Sequence, residues 1–163
     1  MLGKPLSLKR FEEELKRKGV EYRLIRLRTR TVSSRDVARH AEGEVKEDEV
    51  CKTIILKGDK GSLYAVLTLG YRKVDLNLVG RLAGQKVRLA SLEELEEEGL
   101  KPGAVCPLTV NAQLIVDEEV FSKEKVNFSS GSEYYGVEIK PQDLYRLVDF
   151  VRARVSLPSE AEK

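Results

Sequence analysis

The chain has 163 residues, of which 41% are hydrophobic and 34% are charged, and its formal net charge is +2. This length is that of one domain with a sizeable core, and no apolar run approaches the ~18 residues that a membrane-spanning helix requires. The N-terminal residues lack the apolar core of a signal peptide, so we expect a cytoplasmic protein with no membrane partner.

The first half of the chain predicts two helices, a strand and a hairpin. Ser7 is a candidate N-cap for a helix that ends at Gly19. Residues 22–30 alternate between apolar and basic side chains, which is typical of a strand with a basic outer face. The next elements, in order, are a short helix capped by Ser33 or Ser34 and a hairpin formed by residues 50–57 and 62–69 around a turn at 58–61.

Helix caps and breakers divide the second half. Asp75 caps a helix that stops at Gly84, and Ser91 with Glu94 forms a capping box for a helix that ends at Gly99. The other predicted elements are strands at 86–90, 114–121, 126–128 and 135–139, a loop at 101–107, and a final helix from Pro141 through Val151. Helices and strands alternate without a strict βαβ rhythm. We therefore predict an α/β fold, a single domain at 1–155 with a mixed, curled sheet and surrounding helices, and a flexible tail at 156–163.

The net charge conceals an asymmetry along the chain. Residues 1–40 carry twelve Lys and Arg against five Asp and Glu, whereas residues 91–120 carry one lysine against eight acids. A basic region facing an acidic flank favours an oriented polyanionic partner, of which RNA is the obvious candidate. The alternative is that these charges are solvated faces of amphipathic elements.

Lys52 is the most unusual residue of the chain. It lies within the apolar run Val50-Cys51-Lys52-Thr53-Ile54-Ile55-Leu56, which is typical of a strand covered on both faces. An ammonium there costs free energy unless it finds a partner or its pKa falls, and perturbed ionisable groups mark candidate functional sites. The alternative is a lysine at the entrance of the strand with its ammonium in water.

A second feature is the loop Gly103-Ala104-Val105-Cys106-Pro107, which has too many breakers for a helix or a strand. Together with Lys52, the stretch 72–76 and the segments Ser129-Ser130-Gly131 and Gly136-Val137-Glu138-Ile139, it forms an ordered set of motifs. This set resembles the YbaK/ProX family of free-standing aminoacyl-tRNA editing proteins, whose domain also occurs as the editing insertion of bacterial prolyl-tRNA synthetases. The resemblance covers roughly residues 7 to 150 and implies the fold of that family.

The resemblance implies hydrolysis of the ester that joins a wrong amino acid, typically alanine or cysteine, to the terminal adenosine of tRNA-Pro. Lys52 then corresponds to the essential lysine, and Gly103 and Pro107 to the ends of a GxxxP loop whose backbone N–H groups address the substrate carbonyl. Fixed backbone donors suit this chemistry because negative charge builds on the carbonyl oxygen. The substrate pocket implied by the same resemblance comprises Thr31, Val32, Ala104, Val105, Cys106, Ser130, Gly131 and Glu138.

No Ser-His-acid arrangement is apparent, so we expect the substrate to assist its own hydrolysis. A ribose hydroxyl of the terminal adenosine would activate the water, or the thiol of a cysteinyl substrate would displace the tRNA. Glu138 stands where many family members have Asp or Asn, which leaves the amino-acid preference open. We expect no cofactor and no metal, since the single histidine and the two cysteines match no metal-site spacing.

The expected partner is tRNA, with prolyl-tRNA synthetase as a further candidate and DNA excluded. We predict that tRNA docks on basic residues of the first helix and the following strand, namely Lys16, Arg17, Lys18, Arg26, Arg28 and Arg30. A catalytically silent tRNA-binding or synthetase-binding module of the same fold is the alternative. A small-molecule hydrolase is disfavoured because no GxSxG motif occurs.

The two cysteines flank these motifs. Alternation along the strand places Cys51 on the face opposite Lys52, as a buried filler, so we expect Cys106 to lie nearer the substrate. A cytoplasmic chain keeps its thiols reduced as a rule, so we expect no disulfide between them.

Overall fold

The computed structural model describes residues 4–29 and 33–159. In this part of the chain, the helices are α1 (Leu6–Arg17), α2 (Ser34–His40), α3 (Leu76–Ala83), α4 (Leu92–Glu97) and α5 (Leu144–Leu147). The strands are β1 (Arg23–Arg26), β2 (Cys51–Gly58), β3 (Leu63–Leu69), β4 (Arg72–Val74), β5 (Val87–Leu89), β6 (Gln113–Asp117), β7 (Val126–Ser129), β8 (Tyr135–Ile139), β9 (Val151–Ala153) and β10 (Ser156–Pro158). Short 3-10 helices occur at Glu47–Glu49, Glu118–Ser122 and Pro141–Asp143. None of the described helices is long and apolar enough to cross a bilayer.

The strands form three sheets. A five-stranded mixed sheet has the order β5-β2-β3-β6-β9, with antiparallel pairs from β5 to β3 and parallel pairs from β3 to β9. An antiparallel three-stranded sheet has the order β1-β8-β7, and β4 pairs with β10. The predicted α/β fold with a mixed sheet and surrounding helices is thus confirmed, although the strands are divided among three sheets.

The β2–β3 hairpin is the centre of the molecule. Its predicted turn is correct, and the register pairs Lys52 with Thr68. On its other side β2 pairs with β5 only from Leu56 to Gly58. The edge of β2 at residues 51–54 is therefore left without a strand neighbour in its own sheet, and an isolated bridge from Val50 to Asn127 joins it to β7. An open strand edge between two sheets is a place where a ligand can approach the backbone.

Both faces of β2 are covered, as its apolar sequence predicts. Cys51 and Ile55 belong to the larger apolar cluster, which β3, β6, β7 and β8 complete. Leu56 and Ile54 pack on the opposite face with Val66 and Val79 in a second cluster. Lys52 shares the parity of Ile54 and Leu56, so its side chain leaves β2 on the face of this second cluster.

The predicted caps are present. Asp75 accepts hydrogen bonds from the N–H groups of Asn77 and Leu78 at 2.9 and 3.2 Å, and α3 ends at Gly84 with φ 70°. Ser33 caps α2, and Ser91 forms its capping box with Glu94. These caps fix the ends of helices on either side of β4, close to the Lys52 end of β2.

Five predicted boundaries are wrong. The strand predicted at 22–30 is shorter, since β1 begins at Arg23 and ends at Arg26. Helix α1 begins at Leu6 with Pro5 as N-cap, so Ser7 lies inside it. The strand predicted at 114–121 ends at Asp117, where a 3-10 helix begins. The last helix is a single turn, because Val148 is extended and Val151 pairs with β6 as part of β9. Residues 156–158, predicted as tail, form β10, in which Ser156 is buried.

Candidate functional site

A cavity of about 330 Å³ opens at the free edge of β2. The start of α2, the beginning of the loop at 103–105 and the ends of β7 and β8 form its other walls. The residues that line it are Leu27, Ser33, Ser34, Val37, Val50, Cys51, Lys52, Thr53, Ile54, Gly70, Gly103, Val105, Asn127, Phe128, Ser129, Ser132, Glu133, Tyr135 and Gly136. Because the cavity opens at the edge of β2, side chains from both faces of this strand line it.

Lys52 is half-buried on the wall of this cavity. Its Nζ donates a hydrogen bond to the backbone carbonyl of Arg72 in β4. Burial lowers the pKa of Lys52, and within the described ranges no carboxylate contributes to the shift. An ammonium that is partly desolvated and held by a carbonyl alone gains free energy from an anion or a polarised oxygen. The structure thus gives Lys52 a ligand-binding geometry.

The loop at 103–107 presents its backbone to the same cavity. Gly103 has φ 80°, a conformation that favours glycine, and Gly103 and Val105 both line the cavity. Ala104 donates its N–H to the carbonyl of Lys101, whereas the N–H groups of Val105 and Cys106 donate no backbone hydrogen bond within the described part of the chain. Pro107 is buried at the end of the loop. The loop therefore keeps backbone donors available for a carbonyl oxygen.

Two polar residues of the cavity have atoms without partners. The Oγ1 of Thr53 and the Nδ2 of Asn127 are buried and make no hydrogen bond to the described residues. A buried polar group left unpaired costs ~1–3 kcal/mol. Sequence reasoning missed Asn127, although an amide between the buried Val126 and Phe128 is as conspicuous as a lysine in an apolar strand. Both atoms are candidates for contacts with a bound ligand.

The other predicted pocket residues are placed differently. Glu138 is not among the residues that line the cavity, because its neighbour on β1 is Arg23, whose Nη2 lies 2.8 Å from its Oε2. Ser130 donates its hydroxyl to the carbonyl of Tyr135 and so closes the β7–β8 turn. Gly131 lies against Cys106, since a Cβ added there would be 3.7 Å from the Cβ of Cys106. Ala104 is buried within the loop, and Thr31 and Val32 fall outside the described residues.

The structure confirms Cys51 as a buried member of the larger apolar cluster, but the cysteine that lines the cavity is not the expected one. Cys51 lines the cavity, whereas Cys106 does not and is 3% exposed. Both cysteines are free and buried, and burial raises the pKa of each thiol. The Cys106 sulfur also accepts hydrogen bonds from the backbone of Leu108 and Thr109. Cys106 is thus part of the loop's own scaffold, and Cys51 is the thiol that a ligand would meet.

The predicted tRNA-binding residues fall into two groups. On α1, Arg17 and Lys18 form ion pairs with Glu14, and Lys16 lies beside them. Arg26 and Arg28 are exposed, make no ion pair within the described ranges, and flank Leu27, which lines the cavity. Arg30 is outside the described residues. The unpaired cations are therefore next in sequence to a residue of the cavity, on exposed positions that alternate with the buried Leu27.

The described residues hold no group of three or more His, Cys, Asp or Glu side chains arranged to bind a metal ion. The arrangement that they do form combines a partly desolvated ammonium, backbone donors and unpaired polar atoms around one cavity. An arrangement of this kind is chemically suited to a small polar molecule on which negative charge develops.

The chain belongs to the aminoacyl-tRNA editing domain family, whose sequence model matches residues 29–147. This confirms the family predicted from the motifs. No curated protein matches the chain significantly.

Solved structures share the fold over almost their whole length. The hypothetical protein APE2540 is 32% identical with a TM-score of 0.79, covering 90% of this chain and 98% of its own. A candidate trans-editing enzyme for prolyl tRNA synthetase is 24% identical with a TM-score of 0.77, covering 95% and 99%. A scaffold used for computational epitope grafting is 22% identical, also with a TM-score of 0.77, covering 94% and 99%.

Proposed function

We propose that this protein is a trans-acting deacylase that hydrolyses the ester bond of mischarged aminoacyl-tRNA, of the alanyl- or cysteinyl-tRNA-Pro type. The observation that carries this proposal is the half-buried Lys52 ammonium on the wall of a cavity that is also lined by Gly103 and Val105, in a loop whose Val105 N–H makes no backbone hydrogen bond within the described residues. Family membership and the candidate trans-editing enzyme among the similar structures support the same substrate class.

The size of the cavity suits the aminoacyl group. Its volume of about 330 Å³ is at the lower end of the ~300–1,000 Å³ typical of small-molecule sites. A space of this size holds a small amino acid and its ester but not a nucleotide in addition. Thr53 and Asn127 would supply polar contacts to the amino acid, and Val37, Val50 and Val105 a largely apolar wall.

The chemistry follows from where charge develops. Water adds to the ester carbonyl carbon, and the resulting oxyanion accepts a hydrogen bond from the N–H of Val105, the loop residue that lines the cavity and makes no backbone hydrogen bond within the described residues. Lys52 holds the substrate near the scissile ester and opposes the same negative charge. A ribose hydroxyl of the terminal adenosine relays the proton: it accepts one from the water and passes its own to the departing ester oxygen, so collapse of the intermediate releases the free amino acid and the tRNA hydroxyl. For a cysteinyl substrate, attack by its own thiol on the carbonyl forms a cyclic thioester of cysteine instead, and the thiol proton passes to the departing tRNA oxygen.

The proposed partners are tRNA, with tRNA-Pro as the first candidate, and a prolyl-tRNA synthetase that delivers it. Turnover alone distinguishes the deacylase from the alternative that the sequence left open, a catalytically silent binding module of the same fold. A module without catalysis has no chemical reason to keep a desolvated ammonium beside free backbone donors.

The test is a panel of single-turnover deacylation assays with Ala, Cys, Ser and Pro charged on tRNA-Pro. We expect wild-type protein to hydrolyse at least one of the mischarged substrates and Lys52→Ala to abolish this activity. Lys60→Ala, an exposed lysine in the turn of the same hairpin, is the matched control and should keep full activity. Near-wild-type turnover by folded Lys52→Ala contradicts the role of Lys52, and inactivity of the wild type on the whole panel contradicts the deacylase.

A further inference from the structure

A second, more open groove of about 770 Å³ adjoins the cavity. Lys52, Ile54 and Gly70 line both spaces, as do two serines at the start of α2. The far side of the groove is formed by β4, the first residue of α3 and the last residue of β5. The two spaces are therefore neighbours across one wall, and Lys52 lies on that wall.

The groove carries uncompensated positive charge. Arg35 lines it within 4.0 Å of Glu47, the one acid of the lining, and Arg72 is turned inward onto Ser156. Lys73 is exposed and forms no ion pair within residues 4–29 and 33–159. Lys52 and Lys73 thus remain as the two cations of the groove without a counter-charge.

Apolar surface lies beside these cations. Leu89 is 60% exposed and Leu76 is 36% exposed, although both are large hydrophobic side chains, and Tyr71 also lines the groove. Lysines next to exposed apolar and aromatic side chains suit single-stranded nucleic acid, because its phosphates seek cations while its bases seek flat apolar surfaces.

We propose that this groove holds the 3′-terminal nucleotides of the tRNA while the aminoacyl group occupies the cavity. The ester that joins the two then crosses the shared wall beside Lys52. This assignment rests on the proposed deacylase function, and it adds a contact surface to the predicted one at Arg26 and Arg28. The surface at Arg26 and Arg28, whose side chains line neither the cavity nor the groove, is left for the body of the tRNA.

The test separates the 3′ end from the rest of the tRNA by using the uncharged RNA trinucleotide CCA as the probe. We expect Lys73→Glu to raise the dissociation constant of the trinucleotide about tenfold and to reduce the slope of its salt dependence by about one. Leu89→Ser should weaken binding about threefold through lost base contact. Lys60→Glu reverses an equally exposed lysine more than about 20 Å from Lys52 along the hairpin and should change binding less than twofold.

The outcomes are distinguishable from those of the activity assay. Equal effects of Lys73→Glu and Lys60→Glu, or no binding of the trinucleotide to wild type at millimolar concentration, overturn the assignment. Charge reversal at Arg26 and Arg28 should weaken the binding of full-length tRNA and leave the binding of the trinucleotide unchanged. If these variants lose trinucleotide binding, the groove assignment is also overturned. The wild-type protein could fail to deacylate any substrate while Lys73→Glu still weakens trinucleotide binding more than Lys60→Glu. In that case the groove assignment stands and the proposed deacylase function is refuted.

Discussion

Replacing Asp117 by asparagine removes one buried charge without changing the volume of the side chain. Asp117 is 0% exposed at the end of β6, and its carboxylate accepts hydrogen bonds from Thr68 Oγ1 at 2.8 Å, from the N–H of Val155 at 3.1 Å and from the hydroxyl of Ser156. The guanidinium Nε of Arg72 lies 3.9 Å away. These contacts tie β3, β6 and β10 to the strand whose carbonyl holds Lys52.

The expected loss of stability can be built from these contacts. Each hydroxyl bond to a carboxylate is worth ~1 kcal/mol more than the same bond to an amide, and Arg72 loses the counter-charge buried beside it. We expect Asp117→Asn to lower the free energy of unfolding by ~3 kcal/mol. With an m-value of ~2 kcal/mol/M, the urea midpoint then falls by ~1.5 M.

The measurement is urea denaturation followed by circular dichroism. Asp59→Asn, the same charge change in the exposed hairpin turn, is the matched control and should stay within ~0.5 kcal/mol of wild type. If the two variants have equal midpoints, the buried carboxylate does not hold these strands together, and the argument from its hydrogen bonds is refuted.

Three further predictions concern the cavity. Because burial lowers the pKa of Lys52, the single-turnover deacylation rate, corrected for spontaneous hydrolysis, should fall as pH rises toward 10.5, and a rate that falls only above pH 10.5 contradicts this. In the same pH window the unfolded state binds more protons than the folded state, so Lys52 makes the free energy of unfolding rise with pH. Asn127→Leu should unfold no more easily than wild type, since an unpaired amide nitrogen is removed, yet lose about tenfold in kcat/KM; a destabilised, fully active variant would be the opposite result. A small alkylating reagent should modify Cys51 of native protein before Cys106, which mass spectrometry of digests checks, and the reverse order contradicts the lining of the cavity.

Local signals in the sequence were sufficient for much of the fold. The caps at Asp75 and Ser91 depend on residues within one turn, so they could be identified without knowledge of the packing. Lys52 was recognisable because a charge in an apolar strand conflicts with its surroundings. Asn127 gave the same kind of signal and was overlooked.

Contacts between distant parts of the chain were beyond such signals. Val151 has the spacing of a helical residue but pairs with β6, and Ser156 is ordered by Asp117, which lies 39 residues earlier. The prediction that Cys106 lies nearer the substrate site than Cys51 has a different weakness. Alternation correctly separated Cys51 from Lys52, but the cavity opens at the edge of β2 instead of at one face, so both residues line it.

Two sheets supply walls of the cavity, and among the described residues an isolated β-bridge from Val50 to Asn127 connects them. Lys52 is carried by one sheet, while Phe128, Ser129 and Tyr135 are carried by the other. Substitutions in the second sheet can therefore reshape the space around a bound side chain without moving the ammonium or the Gly103 loop. For the proposed deacylase, the choice of amino acid and the hydrolytic chemistry would then be separately mutable, which would let one scaffold diversify its substrates at small cost to catalysis.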